Sequence, residues 1–330
     1  MATMYANPDM NQKLELSNGK LFLFGLSSLL LCASIFMSVF APFPLAMAVV
    51  LYGRLKGYLI GLFYWLISFA FSIFVMKDIS LFVFYALVMI FAAFISETFF
   101  HKISPKKSLI GFGLSFILGI GLLTYGTIKV SDIDVKKFIV HELTKSKERL
   151  EEQKELLKKN SSEDAFESLA LLEQPELMAD TLIKSAPVGI FIGVFFVLWA
   201  NLMLFLRSRK ILFGRDIYPY SENELLAFKM PDSFIWVVIA VFAIAIWGDE
   251  YIKPGSADLG MSLLKCIGVF YFFQGFGVLN KLLDFIKLGG IFRTFIVMLT
   301  IITVNWLIAL VGLFDVFFNF NKLFVKKNND

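Results

Sequence analysis

The chain is poor in the residues on which most catalytic and redox chemistry depends. Its 330 residues include two cysteines and two histidines. Cys32 and Cys266 each lie inside an apolar run, with no spacing that suits a disulfide framework or a metal site. His101 falls in a basic loop and His141 in a charged stretch, and both read as solvated. The chain has no glycine-rich phosphate loop, His-Glu-x-x-His, paired-cysteine motif or Gly-x-Ser-x-Gly elbow. The expectation is therefore a protein that is not an enzyme and carries no cofactor; an ATP-driven process would need a separate ATPase module. Charge is scarce as well, at 18% of residues against about 25% in soluble domains. The net charge of +4 lies mostly at the ends of apolar segments. That distribution orients a membrane protein and leaves no nucleic-acid footprint.

What is abundant is apolar surface. Hydrophobic residues make up 58% of the chain, including 39 Phe, and the mean hydropathy is +0.75. One soluble core could not hide that much, so the lipid bilayer must be the main solvent. A membrane helix needs about 20 apolar residues, because backbone polar groups must pair internally in hydrocarbon. Residues 21–40, 58–76, 81–96, 109–128, 187–206, 234–247, 259–279 and 292–313 meet or approach that length. Residues 44–53 are half as long and follow Ala41-Pro42-Phe43-Pro44, which points to a tilted or re-entrant piece. The reading is an all-α polytopic helix bundle of about eight or nine hydrophobic segments, the first kept as a membrane helix and not cleaved as a signal.

The chain divides by composition. Residues 1–20 are a polar tail and 21–128 a first group of membrane helices. Residues 129–185 form a charged helical insertion, and 186–320 a second group with a connector over 207–231. Residues 321–330 close the chain as a polar tail. Within the insertion, Asp132/Lys136 and Glu155/Lys159 stand four apart, as on an exposed helix. Leu143, Leu150 and Leu157 recur every seven residues, but Ile139, Ser146 and Gln153 between them make a polar seam for a coiled coil. Ser162 suits the cap of a second helix through Leu172. In the connector, Leu225, Leu226, Phe228 and Met230 alternate with Glu222, Glu224 and Lys229, as in a short amphipathic helix on the membrane surface ended by Pro231.

Basic residues give an orientation. Arg54, Lys56, Lys102, Lys106, Lys107, Arg207, Arg209, Lys210 and Arg215 fall on one side by alternation. The positive-inside rule makes that side cytoplasmic and puts the insertion outside. The tail lysines Lys322, Lys326 and Lys327 dispute the final parity. Small residues four apart, Gly53/Gly57/Gly61 and Ser185/Gly189/Gly193, mark close helix packing.

Polar side chains at membrane depth are costly and point to function. Asn201, Lys265, Gln274 and Asn305 are the candidates for a ligand-binding polar cavity, with hydrogen bonding between helices, or snorkelling for Lys265, as the plainer use. Asp315 stands near the end of the last long segment, and Glu97 reads as an interfacial charge.

The second half resembles a known family. Asn201 followed by Leu206-Arg207-Ser208-Arg209, then Phe228-Lys229-Met230-Pro231-Asp232 ahead of Trp236, is similar to the YybS-like bacterial membrane proteins of unknown function. So are Tyr271-Phe272-Phe273-Gln274-Gly275 and Gly312-Leu313-Phe314-Asp315, and more loosely Pro42–Pro44 with Tyr52-Gly53-Arg54. The similarity covers most of residues 20–320. The tail departs from it, with Asn319, Asn321 and Lys322 where the family has an Arg-rich end. The resemblance implies a bacterial inner-membrane location and a fold similar to the substrate-binding subunits of energy-coupling-factor transporters. Those subunits hold a ligand cavity toward the outer face and dock small-residue stripes on a transporter core. Here Ser34 and Ser38 stand where an Ala-x-x-x-Ala stripe would. The expected function is a substrate-binding or transport-associated component without its own ATPase; the alternative is a scaffold or assembly factor acting through the insertion.

Overall fold

The computed structural model describes residues 17–34, 36–131, 134–157, 174–208 and 218–320. Ser162 and the helix through Leu172, the basic residues Arg209, Lys210 and Arg215, and the tail lysines Lys322, Lys326 and Lys327 lie outside the described residues. Among those described the protein is helical with short irregular connections and no strands. The helices are α1 (Asn18–Ala33), α2 (Pro42–Tyr52), α3 (Arg54–Phe71, extended by a π turn Ser72–Met76), α4 (Ser80–Phe100), α5 (Pro105–Ser131) and α6 (Val135–Leu157). They continue with α7 (Pro175–Arg207), α8 (Asn223–Leu226), α9 (Ile235–Tyr251), α10 (Ser256–Phe285), α11 (Gly290–Thr303) and α12 (Asn305–Phe318).

Six of these, α3, α4, α5, α7, α9 and α10, are long and apolar enough to cross a membrane, with a bent pair α11–α12 besides. The chain is thus an all-α polytopic membrane bundle, with fewer full-length crossings than its hydrophobic runs suggest. Two runs differ from expectation. The run 21–40 yields only the 16-residue α1 before the backbone breaks at Ser34. The run 292–313 is broken at Val304, where α11 and α12 meet at 93°. Conversely, α7 runs unbroken through Pro187 from the charged insertion to Arg207, so residue 185 is no structural boundary.

The contacts divide the chain into two compact units. The first comprises Met1–Gly113, Phe195–Val238 and Ile267–Asp330; the second Leu114–Val194 and Ile239–Cys266.

In the first unit, α1 and α2 fold back as a hairpin. The Tyr52 hydroxyl donates to the Ser17 carbonyl at 3.0 Å, so the hairpin's start and finish lie at one end. Its apex is irregular backbone, which hydrocarbon tolerates only when protein satisfies it. The Ser28 hydroxyl donates to Ala41 O at 2.8 Å and Asn201 Nδ2 to Val39 O at 2.7 Å. Pro42 and Pro44 open α2 without amide protons, and so remove two donors that would lack partners there. Residues Leu45 to Leu51 of α2 are all buried, against α1, α3 and α4. A Cβ on Gly57 would stand 2.3 Å from Val49 Cα, so the glycine lets α3 lie against α2. At the same end Arg54 makes a bidentate pair with Glu97 at 2.7 and 3.0 Å, joined by Tyr58 at 3.1 Å.

In the second unit, α6 returns against the first turns of α7, tied by Lys136 Nζ to Asp180 at 2.8 Å. Asp134 caps α6 by accepting the Lys137 amide at 3.2 Å, which holds its carboxyl below the usual carboxylate range. The cap thus favours the charged form, and its contribution fades as pH falls through that lowered value. Gly248 and Gly260 let α9 and α10 meet closely: added Cβ atoms would fall 2.9 Å from Ser256 Cβ and 2.5 Å from Ala245 N. Gly189 and Gly193 of α7 meet nothing within 4 Å.

Candidate functional site

The feature that stands out in the first unit is a buried polar pair where α10 and α12 cross. The crossing rests on two glycines. A Cβ on Gly275 would sit 1.8 Å from Ile308 O, and one on Gly312 would sit 1.9 Å from Tyr271 O. No larger residue permits that approach. It brings two side chains into contact, Gln274 next to Gly275 and Asp315 three residues after Gly312: Gln274 Nε2 donates to Asp315 Oδ2 at 3.0 Å. The residues are 2% and 1% exposed.

The other end of the Gln274 amide is fixed by the connector. The Met230 amide donates to Gln274 Oε1 at 3.0 Å, which turns the amide NH₂ toward Asp315. An amide has one acceptor and one donor end, so this single contact sets the orientation of the pair. Asp315 Oδ1 is buried and has no hydrogen-bond partner among the described residues. Asn201 shares this state: its Nδ2 serves Val39 O and Val197 O at 2.7 Å each, while Oδ1 stands buried and unpartnered.

The connector does not lie as an amphipathic surface helix. Of the described residues 218–231 only Asn223–Leu226 is helical, and the chain after it packs inward. Leu225 is fully buried and Phe228 nearly so, with Phe228 set against the rings of Phe270 and Phe273. Gly277 leaves room for Leu226 O, which a Cβ would meet at 2.0 Å. Polar ties hold the strap at both sides: Lys106 Nζ to Ala227 O at 2.6 Å, the Tyr218 hydroxyl to Ile103 O at 2.6 Å, and Arg207 to Glu222 at 2.7 Å. An aromatic wall flanks Gln274 on α10, with Trp199 stacked on Phe273 at 5.3 Å and edge-on to Phe276 at 4.6 Å.

Of the four residues expected from sequence, Asn201 and Gln274 are buried in the first unit. Asn305 is exposed and opens α12 beside the 93° bend, not in the middle of a span. Lys265 is exposed on the part of α10 that belongs to the second unit. Asp315 and the Met230 amide were absent from the expected set. A lone acid at the end of an apolar run was the signal for Asp315; nothing local marks Met230.

A family described as predicted membrane protein, DUF2232, matches residues 21–316. No curated protein matches the chain, and no solved structure does.

Proposed function

The chain belongs to the DUF2232 family of predicted membrane proteins, and from that premise we propose that it is a solute-binding, transport-associated membrane component without its own ATPase. The observation that carries this reading is the buried Gln274–Asp315 pair under the connector. A multi-pass protein pays heavily for polar groups in its core, and among the described residues one acidic oxygen and one amide oxygen are left unpartnered, beside the neutral hydroxyls of Tyr85 and Tyr271 and the Trp199 indole N–H. A core built only for stability would pair these groups or replace them with apolar residues. A segment held over the pair by a few polar ties suits a site that opens to admit a solute. The YybS-like resemblance, with its similarity to substrate-binding subunits of energy-coupling-factor transporters, agrees with this role. The positive-inside rule supports a cytoplasmic position for the end bearing Arg54, Lys102, Lys106 and Arg207, and an extracytoplasmic one for residues 129–185 in a bacterial inner membrane. The second reading is a scaffold acting through that insertion, favoured by the charged, solvent-facing start of α6.

Thiol accessibility separates the two. With Cys32 and Cys266 replaced by alanine, Gln274→Cys in vesicles is expected to react with a small membrane-impermeant thiol reagent, more slowly than an exposed Lys229→Cys control. If Gln274→Cys stays inert while Lys229→Cys is fully labelled, the site is a sealed core. The solute-binding reading then falls and the scaffold reading takes its place.

A further inference from the structure

The proposed role leaves the ligand unnamed, and the charge inventory of the first unit narrows it. Among the described residues Asp315 is the one acidic or basic side chain that is buried. The other described charged residues of the connector and along α10 and α11 are paired or lie outside the buried core. Lys229 pairs with Asp232 at 2.9 Å, Arg293 pairs with Asp284 and reaches Asn280 at 3.0 Å, and Lys281 and Lys287 lie outside the buried core. No ion pair among the described residues includes Asp315. What the protein offers it is one neutral amide on Oδ2, already oriented by Met230. A buried carboxylate with one dipole and no counter-charge is heavily penalised, and a bound positive charge relieves that penalty directly.

We propose that Asp315 anchors a bound monovalent cation through Oδ1, either a bare alkali ion or the ammonium group of a solute. This inference rests on the solute-binding reading and adds its ligand class. The sign follows from the lone carboxylate, since among the described residues of the unit no Lys or Arg is buried. The single charge follows from the donor set. Among the described residues no other acid is buried and no group of three or more His, Cys, Asp or Glu could hold a metal ion, so one carboxylate meets one positive charge. Gln274 contributes orientation: it occupies Oδ2 and leaves Oδ1 as the open acceptor. The strap over Gln274 shields the site from water, and a single charge–charge contact is strongest in such a low-dielectric setting.

The test uses the full chain purified in detergent, at constant pH and ionic strength. Choline chloride is replaced stepwise by lithium, sodium, potassium or methylammonium chloride. At least one of these cations is expected to raise Tm by several degrees with saturation, and D315N is expected to abolish the dependence. A response to alkali ions alone assigns a bare ion; a response to methylammonium alone assigns the amine of a solute. A second readout needs no variant. Dicyclohexylcarbodiimide labelling of Asp315, followed by peptide mass spectrometry, is expected to slow in the same cation. Equal Tm and equal labelling in every cation and in choline overturn the proposal, as does a cation response that survives in D315N. Labelling of Gln274→Cys together with cation indifference would remove the ligand class alone and leave the solute-binding reading standing.

Discussion

Gly275→Leu is expected to be among the most damaging single substitutions in the membrane-embedded part of this protein. Even the Cβ of alanine would lie 1.8 Å from the Ile308 carbonyl oxygen, and backbone cannot give way as a flexible side chain can. The α10–α12 pair must separate, at a cost near or above the upper end of the about 1–3 kcal/mol typical of overpacked cores. Gly312→Ala meets the facing backbone in the same way, 1.9 Å from Tyr271 O. Because both substitutions break one contact, their effects on Tm in detergent should fall short of additive. Gly189→Ala and Gly193→Ala, which meet nothing within 4 Å, serve as controls and should leave Tm nearly unchanged. Equal tolerance at all four positions would mean that the glycine crossing is not what joins these helices.

The second large effect is expected at Gln274. Gln274→Leu removes the acceptor of the Met230 amide and, among the described residues, the only side-chain donor to Asp315. A buried polar group left unpaired costs about 1–3 kcal/mol, and more when it is charged, so a loss near 3 kcal/mol is expected. The variant Asp315→Asn keeps an acceptor for Gln274 and removes the charge, and should be far milder. The informative case is the double variant. If the penalty in Gln274→Leu comes from the stranded carboxylate, adding Asp315→Asn should restore about 1–2 kcal/mol, a favourable coupling of the size found for residues in contact. Additive losses, measured by chemical unfolding or by Tm, would show that the pair is not energetically linked.

How much of this is legible in the sequence varies by element. The membrane class follows from long apolar runs alone, but those runs predict eight or nine segments where the described residues hold six helices long and apolar enough to cross and one bent pair. Gly57 could be picked out by its spacing, and its role depends only on a neighbouring helix in the same hairpin. The break after Ala33 could not, because residues 21–40 carry no charge and no proline. What permits irregular backbone there is a donor from Asn201, 162 residues away from Val39. The break at Val304 is equally silent, since Ile301, Ile302 and Thr303 carry no proline or glycine. The break also decides where Asp315 sits. At the end of an unbroken span it would sit at the interface. With the helix restarting at Asn305, it falls ten residues into a new one, opposite Gln274. The connector shows a third kind of ambiguity. Its alternating pattern suits a surface helix and an inward-packed strap equally well, and the deciding partner, Gly277, lies on another helix.

The central claim is that residues 274 and 315 meet across the glycine crossing of α10 and α12. The most direct measurement is cross-linking of Gln274→Cys with Asp315→Cys in the chain lacking Cys32 and Cys266. A short bis-thiosulfonate reagent of about the length of the native contact should join them within one chain, visible as a single intramolecular adduct by mass spectrometry. Two separately capped cysteines, with no bridged product under conditions where both react, would contradict the claim.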